Sequence, residues 1–260
     1  MHYIPPDSSY PTDEYKTKKL VLRKIEKGDY KIGSNSWDEY SHSSSGTNTE
    51  HSINVPKPYY IAIFELTDNQ YRYMNDETGF AASTSPANVS WNTVRGSAGA
   101  AASPSTGIIA NLNARAKLPD GKAITTFDLP TESMWEIAAR AGSSSKYIGG
   151  NSVESIDPYA WYKGNASSVQ VVGLKLPNAL GFYDIIGNRK ELCRDVSTKE
   201  NLATQQKDVF VPISSGIASN RISRGGDISF SVESNLFSAR NINQAANGDA
   251  AGFRIACYPF

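Results

Sequence analysis

The sequence predicts an α+β fold with long ordered loops. Three observations carry that expectation. Two segments show helical capping and spacing, many short runs are β-branched and aromatic, and neither an internal repeat nor a linker divides the chain. At 260 residues, 39% hydrophobic and 20% charged, the chain has enough apolar material for one sizeable core. We read residues 21–260 as a single domain behind a flexible leader over 1–20, which is rich in Pro, Ser and charge.

The elements follow in order. VLRKIEKGDYKIGSNS (21–36) alternates and turns at Gly33-Ser34, a strand running into a loop. The polar stretch 38–52 reads as exposed loop, and INVPKPYYIAIFE (53–65) as strand. Thr67 with Gln70 three residues later makes a capping box, after which Tyr71 and Met74 share one helical face. The small-residue stretch 96–107 reads as a flexible insertion, because Gly and Ser interrupt its alanines. LPTESMWEIAARAG (129–142) is the clearest helix. Thr131 caps it, Glu132 and Glu136 suit its N-terminal turns, and Gly142 can close it in the left-handed conformation. Met134, Ile137, Ala138 and Ala141 share a face. From 143 onward only short strands, turns and irregular chain are expected.

Composition excludes several classes. Lys+Arg equals Asp+Glu at 26 each, so the cation excess that neutralises phosphates is missing and nucleic acid is not an expected partner. No 18-residue apolar run is present, so no membrane span is expected. Cys193 and Cys257 are too few for a disulfide scaffold; one bridge or two buried thiols both remain open. The leader lacks an apolar signal core, which is compatible with an exported protein whose signal has been removed. No G-x-S-x-G, P-loop or G-x-G-x-x-G is present, and His2, His42 and His51 all lie in the first fifth of the chain, away from any candidate nucleophile.

Six phrases occur in a recognisable order: ELTDNQY (65–71), PANVSW (86–91), LPTESMWEIAARAG (129–142), VVGLKLPNALGFYDIIGNRKEL (171–192), RGGDIS from Arg224, and GFRIA from Gly252. Together they resemble the formylglycine-generating-enzyme (sulfatase-modifying factor) family over roughly 21–257. The resemblance implies a C-type-lectin-like fold with two main helices, short antiparallel strands and much ordered loop. The chain also departs from the family pattern. Asp128 stands where an arginine is usual, Arg189, Lys190 and Leu192 replace aromatic-rich neighbours of Glu191, and Ile228 replaces a tryptophan.

Family enzymes hold copper with a cysteine pair in the C-terminal segment, and soft thiolates suit Cu(I). Between Gly226 and Gly252 this chain has no cysteine. The resemblance therefore implies a protein without the oxidase activity and without a catalytic cofactor. It also implies a structural calcium site, with Asp184 and Glu191 as carboxylates and Gly187 and Arg189 giving carbonyls. The competing reading is that Asp184 and Asn188 cap turns through side-chain-to-backbone bonds.

Residues 224–254 pair two patterned brackets with an unpatterned middle, and so resemble the diversified segment of retroelement variable proteins, which use this fold as a scaffold. Asp227, Ser229, Phe230, Ser231, Glu233, Ser234, Asn235, Phe237, Asn241, Asn243, Asn247 and Asp249 mix small polar, acidic and aromatic types, as antibody paratopes do. Arg224, Arg240 and Arg254 read as scaffold, and Leu236, Ala239, Phe253 and Ile255 as packed. The function implied is non-catalytic binding by a monomer of a protein or glycan on another cell or host surface. Display at the cell surface, through a lipid-anchored removed signal, goes with it. An ordinary lectin-like or structural module is the alternative, and the copper oxidase a third.

Overall fold

The computed structural model describes residues 14–34, 50–97, 99–100, 102–117, 120–121, 125–196, 208–212, 220–243 and 250–258. Short strands, the two inner ones mostly buried, set up the first sheet. β1 (Leu22–Ile25) pairs antiparallel with β4 (Tyr59–Ala62), Leu22 opposite Ala62 and Ile25 opposite Tyr59. The last strand, β10 (Ala256–Tyr258), inserts between β4 and β5 (Thr126–Asp128). β4 thus separates β10 from β1 in this sheet. β2 (Gly28–Ile32) and β3 (His51–Val55) form a separate hairpin. A second four-stranded sheet runs β8 (Arg240–Asn243), β7 (Arg221–Arg224), β6 (Glu191–Val196), β9 (Gly252–Phe253). Its β6–β9 pair is parallel.

Both expected helices are present. In α2 (Asp68–Met74) the Thr67 hydroxyl accepts from the Gln70 amide while the Gln70 side chain accepts from the Thr67 amide. In α5 (Glu132–Arg140) the Thr131 hydroxyl accepts from the Met134 amide at 3.2 Å. All nine α5 residues are buried, so it is a core helix and not merely an amphipathic one. Ala141 closes it in the left-handed conformation at φ 50°, one residue before the expected Gly142, whose own φ is 85°.

Three further helices were not expected. α1 (Glu14–Thr17) corrects the leader boundary. The capping-box residues also grip it. Thr67 Oγ1 donates to the Lys16 carbonyl at 2.6 Å, and Gln70 Nε2 donates to the carbonyls of Tyr15 and Lys19 at 3.1 and 2.7 Å. Residues 14–20 therefore belong to the domain; residues 1–13 lie outside the described residues. α3 (Trp91–Arg95) follows an Ser90 cap, and α4 (Gly107–Arg115) follows the stretch read as an insertion. Gly107 joins them. A Cβ there would sit 2.8–2.9 Å from backbone atoms of Thr93, Val94 and Gly96, at φ +82°.

Two apolar clusters result. One packs α5 through Met134, Trp135 and Ile137 against Ile61, Phe182, Ile185 and Phe237. The other gathers Trp91, Val94, Ile109, Leu192, Phe253 and Ile255. Among the described residues no helix is long and apolar enough to cross a membrane.

Candidate ligand-binding face

The closing segment is held by three arginines, Arg224 and Arg254 fully buried and Arg240 partly so. Arg224, at the end of β7, is fully buried. Its Nη2 donates to Glu136 Oε2, and the guanidinium also donates to the carbonyls of Phe237, Ser238 and Ala239. Arg240 pairs with Glu132. Arg254 meets both oxygens of Glu191 at 2.8 and 2.9 Å, and donates to the carbonyls of Ile63 and Tyr183 at 2.7 and 2.6 Å. These contacts satisfy buried charge with charge and with backbone acceptors. The scaffold role expected for these arginines is what the geometry shows. Glu132 and Glu136, read as helix-terminus residues, are in fact the arginines' counter-ions. At Glu136, burial opposes ionisation, but Arg224, Arg140 and the Gly33 amide outweigh it and hold the carboxyl below its ordinary range. Asp128 is explained in the same way: Arg95 clamps both its oxygens at 2.6 and 2.9 Å.

The paired glycine sets the segment's departure from β7. Gly225 and Gly226 take φ +93° and +78°. A Cβ on Gly226 would lie 2.0 Å from Asn235 Oδ1. Beyond it the chain bonds mainly to itself. Asp227 Oδ1 accepts from the Ser229 amide at 3.0 Å and from its hydroxyl at 2.7 Å. The Phe230 amide donates to the Asp227 carbonyl, and the Ser234 amide to the Ser231 carbonyl. Ser229 and Ser231 are exposed; Asp227, Phe230, Glu233 and Ser234 are half-buried. The Glu233 carboxyl is lowered by its own amide and by Ser231.

This short arc faces a fixed loop. The Lys163 amide donates to the Phe230 carbonyl at 3.1 Å, and Lys163, Gly164, Asn165, Ala166 and Ser167 enclose with Ile228 and Ser229 an open concavity of about 770 Å³. No motif in the sequence singled that loop out.

Two expected face residues are buried instead. Asn235 is fully enclosed, its Nδ2 donating to the Ser231 carbonyl at 2.8 Å. Phe237 is 1% exposed, with the Arg140 guanidinium 5.2 Å from its ring centre. Both are packing residues, since Asn235 closes the turn and Phe237 joins the core. Asn241 is half-buried on β8 opposite Ser223. Asn243 ends that strand, and its side chain lies outside the described residues, as do Asn247 and Asp249.

Both carboxylates expected to hold calcium have partners within the protein. Glu191 spends both oxygens on Arg254 and also accepts from Trp135 Nε1 at 2.8 Å. Asp184 Oδ2 accepts from the Gly173 amide at 2.5 Å, and burial raises its carboxyl to about 6. The Gly187 amide donates to the Gly225 carbonyl, and the Arg189 amide to Glu65 Oε1. Among the described residues no group of three or more His, Cys, Asp or Glu side chains is placed to hold a metal ion. Asn188 bridges Glu65 and the backbone of Gln170, partners distant in sequence rather than within its own turn.

The cysteines are two separate buried thiols, Cys193 in β6 and Cys257 in β10. Burial raises both, Cys193 strongly, so the thiolate that would act as nucleophile or copper ligand is disfavoured.

Comparison with known proteins agrees with this geometry. The sulfatase-modifying factor enzyme 1-like domain matches residues 9–258. Among solved structures, PvdO from Pseudomonas aeruginosa superposes with a TM-score of 0.71 at 17% identity, over 92% of this chain and 94% of that one. Treponema denticola variable protein 1 gives 0.70 at 23% identity, over 92% and 95%. CarF gives 0.57 at 17% identity, over 93% and 99%. These likenesses are likenesses of fold, and the fold is the C-type-lectin-like α+β arrangement expected. No curated protein matches the chain.

Proposed function

The chain belongs to the sulfatase-modifying factor enzyme 1-like domain family, and we propose that within it the protein is a non-catalytic binder presenting a replaceable C-terminal face. One observation carries the reading. Residues 227–234 are bonded mainly among themselves and to one fixed loop, while the buried charge network is anchored by Arg224, Arg240 and Arg254 on either side. Side chains at Asp227, Ser229, Phe230, Ser231, Glu233 and Ser234 can therefore change without removing a core contact. Asn241 and, past β8, Asn243, Asn247 and Asp249 extend the proposed face. The concavity beside Lys163 gives a ligand a floor lined mostly by residues 163–167, outside the proposed face, with Ser229 at its edge. The absence of a C-terminal cysteine between Gly226 and Gly252 supports a role without copper chemistry. A protein or glycan on another surface is the ligand such a face suits, with the protein itself exported and displayed.

Randomising the six face positions together tests this. Most library members should stay folded by thermal melt, and selection against an arbitrary protein should yield binders. A library randomised at Asn235, Leu236 and Phe237 should unfold. Equal loss of folding in both libraries would sink the proposal. A near-identical template repeat beside the gene, differing at the codons of the face, is the second expected observation.

A further inference from the structure

Arg221 opens β7 three residues before Arg224, yet its surroundings differ completely. It is 6% exposed, and its guanidinium lies 3.9 Å from the ring centre of Trp91. That ring is itself buried and is fixed by its Nε1, which donates to the Cys193 carbonyl at 3.1 Å. A second guanidinium, that of Arg95, lies 4.8 Å from the same ring centre.

The local carboxylate is already in use. Arg95 takes both oxygens of Asp128 and the carbonyls of Gly99 and Ala102. Arg194 Nε stands 3.4 Å from Asp128 Oδ2. Two cations therefore already draw on Asp128, and Arg221 has no ion pair or side-chain hydrogen bond among the described residues. Its Nε is enclosed without a partner. Burial, and then the Arg95 charge, push its pKa down, as expected of a cation short of a counter-charge. An arginine does not escape by losing its proton, and an enclosed charge without an anion is costly.

We propose that Arg221, stacked on Trp91, is the centre of a binding site for a ligand carboxylate. Stacking covers a face of the guanidinium and leaves its edge, where in-plane N–H donors match two carboxylate oxygens. Among the described residues Arg221 is a cation without an anion, and it balances one negative charge. A phosphate dianion would need a second donor set, and that of Arg95 is committed to Asp128. The register places Arg221 opposite Asn243, at the end of β8, so the carboxylate would enter at the border of the proposed face. The site does not depend on whether that face varies.

The test is a titration of the full-length protein with sodium acetate against sodium chloride at constant ionic strength, followed by the ¹⁵N–¹H signals of arginine Nε groups. The Arg221 signal, identified by its absence in Arg221→Lys, should shift and saturate with acetate, while that of Arg254 stays still. Trp91 fluorescence should follow the same curve. N-acetylglutamate and glucuronate then separate an acidic peptide from an acidic sugar as the source, by which saturates at the lower concentration. No saturable Arg221 shift, or an equal shift with chloride, overturns the site. That result would also be seen if a carboxylate of this chain already occupied it. Tighter binding of inorganic phosphate than of acetate would overturn the carboxylate assignment. Because the readout is made on the unaltered protein, a variant that fails to fold does not rescue the proposal. Acetate binding with failed face libraries would remove the binder reading and leave this one.

Discussion

Residues 227–234 and 235–240 are neighbours in sequence and opposites in environment. In the first stretch the side-chain polar groups of Asp227 and Ser229 bond each other, among the described residues only the Ile228 amide and the Phe230 carbonyl reach out, to Asn188 and Lys163, and Phe230 is half-buried. In the second, Asn235, Leu236 and Phe237 are buried, and three carbonyls in a row, from Phe237 to Ala239, receive Arg224. The same backbone thus passes from an arc whose side chains bond one another to a segment whose carbonyls are held by a buried arginine. Local bonding tolerates exchange of side chains; long-range buried bonding does not.

The sharpest way to break this contrast is to remove a bracket. Glu191→Ala strips Arg254 of its only carboxylate among the described residues and leaves Trp135 Nε1 unmatched. Breaking a buried pair from one side costs about 3–5 kcal/mol, so urea unfolding should find the variant unfolded or nearly so. A loss below about 1 kcal/mol, the value of a surface pair, would show that the bracket is not buried in solution. The two phenylalanines offer the next comparison. Phe237→Ala should cost about 3–5 kcal/mol and Phe230→Ala far less, measured as the difference in urea midpoint at unchanged slope. Equal costs would erase the boundary between the stretches.

Gly226 marks that boundary. Gly226→Ala adds a methyl group 2.0 Å from Asn235 Oδ1 at a φ of +78°. A loss of about 1–3 kcal/mol is expected for strain of this kind, with Asn235→Ala in the same chain recovering part of it. Absence of recovery would place the strain in the backbone alone.

Much of this was legible in the residues. The Thr67 and Thr131 caps, the α5 helix and the buried set Leu236, Ala239, Phe253 and Ile255 follow from spacing and side-chain type. The six ordered phrases carried the fold. Illegible were facts fixed by partners distant in sequence. Asn235 reads as a surface residue until Gly226 is seen against it, and Glu136 reads as a helix-terminus acid until Arg224 arrives from 88 residues away. α4 hides because it starts on a glycine after a low-complexity run. Arg221 resembles its neighbour Arg224 in sequence, and only the allocation of Asp128 to Arg95 distinguishes them.

The arginine brackets also make stability depend on acid in a defined direction. Glu136 has a folded-state pKa below its ordinary value, because Arg224 and Arg140 outweigh the effect of burial. Its contribution is fully present above the ordinary carboxylate range and is lost as pH falls through the lowered value. Glu136→Gln should therefore lower the melting temperature at neutral pH and shrink that deficit in acid. A deficit that stays constant from neutral pH into acid would mean the carboxylate is not the stabilising species.

The smallest effects belong to the arc. Ser231→Ala changes an exposed residue whose carbonyl, not its hydroxyl, accepts from Asn235. Ser229→Ala removes one exposed hydroxyl bond to Asp227, while the backbone bond to the same oxygen remains. Each should move stability by no more than about 0.5 kcal/mol, and because they touch different acceptors the pair should add. A double variant that lost several times that amount would mean the arc is cooperative with the core. The separation of face from scaffold would then fail at its most tolerant point, and with it the freedom to replace those side chains.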